Sequence, residues 1–94
     1  TWYDRLFQDP LFMAKVKQRF GYFYDRKTTI FNEINENATY LKYAMIENDS
    51  RWNILYTPTW PNHDVWGNYQ NEVQCLKTWL DKRFDWLKSQ FDNM

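Results

Sequence analysis

Apolar residues recur along most of this chain at steps of three and four, the spacing of one face of an α-helix. Phe12, Val16, Phe20 and Phe23 form the first such stripe, with Lys15, Gln18 and Arg19 turned outward. Asp9-Pro10 precedes it. Asp accepts hydrogen bonds from the free amides of a first turn, and Pro at the first helical position loses no bond there, so Asp9 and Pro10 mark the helix start. The pattern persists to about Tyr24 through Gly21, where a close packing contact is expected. Ahead of it, Trp2 to Phe7 reads as a short helix with Thr1 and Asp4 spaced as a capping pair.

A second stripe, Ile30, Ile34, Ala38, Leu41 and Met45, predicts one continuous helix capped by Thr28 or Thr29 and ending near Asn48-Asp49-Ser50. The third is the most regular: Tyr69, Val73, Leu76, Leu80 and Leu87 trace a heptad seam with Arg83 at its vacant position. Cys75, Trp79 and Trp86 run beside that seam, so both other helices should cover this one. The expected fold is all-α. It is a three-helix bundle with a short N-terminal helix and a long ordered aromatic loop between its second and third helices, residues 1–94 forming a single helical domain.

That loop, about 18 residues from Arg51 to Asn68, is longer than most helix connections. Pro58, Pro61 and Gly67 break it, and Trp52, Tyr56, Trp60 and Trp66 load it with apolar surface. These rings either form a lid on the bundle or stack on the apolar faces of sugars and flat ligands, with Asn53, Asn62 and Asn68 as hydrogen-bonding neighbours. Tyr56, Trp60, His63 and Trp66 are the candidate ligand or partner surface.

Composition sharpens this picture. Six Trp, seven Tyr and seven Phe in 94 residues imply an aromatic core, because each ring system can bury roughly 150–250 Å². Twelve basic and twelve acidic residues, balanced within each half of the chain, argue against a nucleic-acid partner, which calls for a basic excess. No apolar run approaches the roughly 20 residues that span a bilayer. The start at Thr1-Trp2 suggests a piece of a longer chain, whose remainder would be its first partner.

Candidate chemistry is sparse. His63 stands beside Asp64, yet no nucleophile accompanies it, since Cys75 falls on the apolar stripe of the third helix. One His and one Cys do not make a zinc set, and two isolated glycines do not make a phosphate loop. The chain is therefore expected to bind no metal or cofactor and to catalyse nothing alone. Arg83, one turn from Trp79 and close to Trp86, suits a structural cation–π contact with a carboxylate such as Asp81, Asp25 or Glu47 nearby, a substrate-binding arginine being the alternative. Asn37-Ala38-Thr39 and Asn48-Asp49-Ser50 match the N-glycosylation triplet, but the first lies mid-helix.

Trp2-Tyr3-Asp4-Arg5-Leu6-Phe7-Gln8-Asp9-Pro10-Leu11-Phe12, followed by Lys15-Val16-Lys17-Gln18-Arg19-Phe20, resembles the C-terminal helical portion of CotH-type, spore-coat kinase-like proteins. Arg51-Trp52 resembles the family's arginine–tryptophan pair after the second helix, which makes Trp52 a structural anchor. Leu76-Lys77-Thr78-Trp79-Leu80 and Arg83-Phe84-Asp85-Trp86-Leu87 are similar to its last helix, with Arg83 and Trp86 closing the pattern. The resemblance implies an accessory helical module buttressing a kinase-like core, in a bacterial, extracytoplasmic or cell-surface protein whose nucleotide and metal ligands lie upstream. Trp60-Pro61-Asn62-His63-Asp64 departs from the family pattern, and a carbohydrate or peptide ligand for the 52–69 loop is the alternative function.

Overall fold

A computed structural model describes residues 1–60 and 64–94. Every regular element among them is an α-helix: α1 (Trp2–Leu6), α2 (Pro10–Asp25), α3 (Lys27–Tyr40), α4 (Lys42–Trp52) and α5 (Tyr69–Asp92). The helix starts follow local chemistry. Thr1 and Asp4 form a reciprocal capping box on α1. The Asp9 carboxylate accepts the Leu11 amide at 2.9 Å, and Pro10 takes the first helical position of α2.

Neither Thr28 nor Thr29 caps a helix. The α2–α3 junction is the single residue Arg26, and α3 is already under way at Lys27 with no side-chain cap. Nor is the second stripe one helix, because the chain breaks at Leu41 between α3 and α4. Two carbonyls ahead of the break are drawn into side-chain bonds. The Thr39 hydroxyl donates to the Asn35 carbonyl, and the Tyr69 hydroxyl reaches across from α5 to the Ala38 carbonyl, each at 3.1 Å. Competition of this kind for the helical ladder bends helices.

Helix α5 is the long stave along which α2 and α3 lie, α2 touches α3, and α4 leans on α3. Phe20 is the hub of the α2–α5 contact, its ring centroid 5.0 Å from that of Phe91 and 6.1 Å from that of Phe84. The Tyr24 hydroxyl donates to Asp85 at 2.9 Å, and Lys27 pairs with Asp81 at 3.1 Å and with Asp85 at 3.7 Å. On the other side Lys77 donates to the Asn35 side-chain oxygen at 2.8 Å.

The inward register of α5 differs from the expected seam. Tyr69, Val73, Leu80, Phe84, Leu87 and Phe91 are half-buried, whereas Leu76 keeps 47% of its surface exposed. Phe84 and Phe91 supply the inward face, which is why Arg83 stood at a vacant position: it points elsewhere. On α2, Tyr24 turns inward and Phe23 outward. The close contact expected at Gly21 is not there, since a Cβ built on it would meet nothing within 4 Å.

The aromatic core does not materialise within this chain. Among the described residues none is fully buried. The molecule measures 52 × 28 × 18 Å with a radius of gyration of 17.8 Å, against about 12 Å for a compact domain of this length. Its accessible surface of 8133 Å² exceeds by about 2,200 Å² the area expected for a compact monomer of this mass. The helices form an open assembly with large apolar faces still in water.

Candidate ligand grooves

The segment after α4 is anchored at both ends by polar groups. Asn53 ends α4 in the left-handed conformation (φ 51°), which Asn tolerates better than most residues, and the Asp49 carboxylate accepts the Leu55 amide at 3.1 Å. At the other end Asn68 caps α5 by accepting the Asn71 amide at 2.8 Å. Glu72 accepts the Trp66 amide at 2.9 Å, and the Asn71 side chain donates to the Trp66 carbonyl at 3.1 Å. Gly67 makes the turn between them at φ 81°, where only glycine is unstrained. Asn53 and Asn68 thus serve as helix caps, Asn53 through its backbone and Asn68 through its side-chain oxygen.

The four candidate surface residues do not converge. Tyr56, 67% exposed, borders a groove of about 730 Å³ between α3, α4 and the start of α5, together with Ala38, Met45, Leu55, Tyr69 and Val73. Trp66, 50% exposed, borders a separate groove of about 410 Å³ with Trp79, Cys75 and Lys82. Trp60 lines neither and is 83% exposed. His63 lies outside the described residues, as do Pro61 and Asn62. None of Tyr56, Trp60 and Trp66 is sealed beneath the bundle.

Of the structural candidates, Arg83 holds its guanidinium 4.5 Å from the Trp86 ring centroid and makes no ion pair among the described residues. Trp52 ends α4 with the Arg51 guanidinium 5.0 Å above it and is itself exposed. A second cationic and aromatic cluster, not foreseen in the sequence, covers the outer face of α2. Arg26 stacks 3.6 Å from the Tyr22 ring, and Arg19 lies 4.9 Å from Tyr22 and 5.0 Å from Phe23. The signal was present as Arg19-x-x-Tyr22 and Tyr22-x-x-x-Arg26, neighbours on a helix surface.

Among the described residues, electrostatic perturbation is seen at three exposed pairs. The hydrogen bond that the Lys27 ammonium donates to Asp81 holds it above its usual range, with the nearby charges of Asp81, Tyr24 and Asp85 adding to it. Asp92 does the same for Lys88, and the Thr1 hydroxyl followed by the terminal ammonium lowers Asp4. No group of three metal-ligating side chains gathers among the described residues, and among them no helix is long and apolar enough to cross a membrane. Cys75 is a free, half-buried thiol rather than a sealed core residue. No family model matches the chain, and no curated protein or solved structure matches it either.

Proposed function

We propose that this chain is a noncatalytic accessory module that works by packing its open apolar faces against another folded body. The observation that carries the reading is the absence of any fully buried side chain among the described residues, in a chain so rich in Trp, Tyr and Phe. The surplus of about 2,200 Å² over a compact monomer is more than the roughly 800 Å² that each partner contributes to a standard protein interface. In this reading α2, α3 and α5 are the three staves of the bundle, and α4 is an arm that the partner body steadies. The resemblance to CotH-type proteins supplies the identity of that body, a kinase-like core belonging to the same parent chain, and with it an extracytoplasmic setting.

Small-angle scattering and nucleotide titration test the proposal on the isolated chain. An open module has a radius of gyration near 18 Å, binds an apolar dye such as anilinonaphthalene sulfonate, and takes up no ATP. A value near 12 Å without dye binding contradicts the packing role, and saturable ATP binding contradicts the noncatalytic one. The second reading, a carbohydrate- or peptide-binding module using the 52–69 segment, is favoured at one residue. Trp66 is fixed through both backbone polar groups while its indole stays half exposed.

A further inference from the structure

Trp66 does not stand alone. Asn71, Gln74, Cys75, Thr78, Trp79 and Lys82 fall on one face of α5, and Trp66 closes that face into the groove of about 410 Å³. Small-molecule sites span roughly 300–1,000 Å³, so the space suits a ligand of one to a few rings. Trp79 is 58% exposed and Trp66 50% exposed, and no ring–ring contact joins the two among the described residues, so each side chain keeps surface that a ligand can cover. The backbone bonds to Glu72 and Asn71 and the turn at Gly67 fix the Trp66 backbone before any ligand arrives, which lowers the entropic cost of binding.

The polar rim has capacity to spare. Asn71 uses one of its amide hydrogens on the Trp66 carbonyl and keeps its side-chain oxygen. Gln74 donates to the Thr78 hydroxyl at 3.3 Å, leaving the Gln74 oxygen as an acceptor and the Thr78 proton as a donor. The one charge is the Lys82 ammonium. Its helix neighbours Asp81 and Asp85 are engaged by Lys27, and Lys82 has no carboxylate partner among the described residues.

We propose that this groove binds an acidic sugar, a short oligosaccharide of uronic-acid type. A pyranose lays a flank of C–H bonds on an indole face, its hydroxyls match mixed donors and acceptors, and its carboxylate complements Lys82. A purely aromatic ligand would leave the rim unpaired, and an acidic peptide would leave the indoles bare. The proposal rests on the ligand-binding reading of the loop and moves its centre from Tyr56, Trp60 and His63 to Trp66, Trp79 and Lys82.

Titration of the isotope-labelled chain with tri-galacturonate, followed at the indole N–H signals, tests it against maltotriose and hexaglutamate as comparison ligands. Saturable shifts at Trp66 and Trp79 are expected with tri-galacturonate, with binding about tenfold weaker for maltotriose. Trp79→Ala should weaken binding by about tenfold or more, as loss of an aromatic anchor does. Lys82→Met should abolish the preference for the acidic sugar while leaving helicity unchanged. Absence of saturable shifts with tri-galacturonate, or unchanged affinity in Trp79→Ala, overturns the proposal. Saturation by hexaglutamate alone overturns the sugar but preserves a binding groove, and silence with all three ligands removes the ligand-binding reading as well.

Discussion

Gly21→Ala distinguishes an open assembly from a closed bundle by the sign of its effect. In a tightly packed bundle a glycine on a helix flank marks a place where a neighbour approaches, and adding a methyl group there costs about 1–3 kcal/mol through overpacking. In this structure the new Cβ meets nothing within 4 Å, so only the backbone consequence remains. Gly21 lies well inside α2, twelve residues past the Asp9 cap and four before its end at Asp25. Replacing an interior helical Gly by Ala gains about 0.8–1 kcal/mol, chiefly by narrowing the unfolded ensemble, which is a four- to fivefold shift toward helix. The shift is read from ellipticity at 222 nm during a thermal or urea titration. Gly21→Ala should raise both the starting signal and the midpoint, the latter by a few degrees for a chain of this size. A lowered midpoint would refute the reasoning, because it would mean that something already occupies the space beside Gly21.

Other expectations follow from the same packing. Leu80→Ala, at a half-buried position of the α5 inward face, should cost about 2 kcal/mol, the low end for such a truncation, while exposed Arg83→Met should leave the urea midpoint nearly unchanged. A harmless Leu80→Ala would displace the register assigned to α5. Asn68→Ala removes the α5 cap and should cost about 1 kcal/mol in the same titration, with exchange of the Asn71 amide accelerated; an unaltered amide would argue against the cap. Because Lys27 is raised in the folded chain, its contribution is complete below the ordinary value of 10.5 and is lost as pH climbs through the higher folded value. Stability of the α3–α5 contact should therefore fall above that pH in the native chain and not in Lys27→Met, and parallel profiles would show that the pairs with Asp81 and Asp85 are idle.

What could be read from the sequence was what depends on neighbours in the chain. Thr1 with Asp4, and Asp9 with Pro10, show their caps within a few residues, and the all-helical character follows from the spacing of apolar positions. The break at Leu41 could not be foreseen, because one of its causes is the hydroxyl of Tyr69, thirty-one residues beyond the carbonyl it engages. The register of α5 was hidden for a different reason. A helix apolar over a wide arc offers several stripes, and the choice of Phe84 and Phe91 over Leu76 is made by Phe20 on another helix. Aromatic content predicted a core because composition measures how much surface could be buried and not whether this chain has enough neighbouring surface to bury it. The groove was half legible: Trp66 stood out in an irregular segment, whereas Trp79 sat in a stripe that reads as core until its exposure is seen.

The central claim, that this chain leaves its aromatic faces uncovered, is tested most directly by acrylamide quenching of tryptophan emission at low protein concentration. All six Trp residues are between 50% and 85% exposed. The expected result is red-shifted emission with a single, nearly unhindered quenching constant. Blue-shifted emission with a quencher-protected fraction in the monomeric chain would contradict the account, since it would mean that the chain closes an aromatic core by itself.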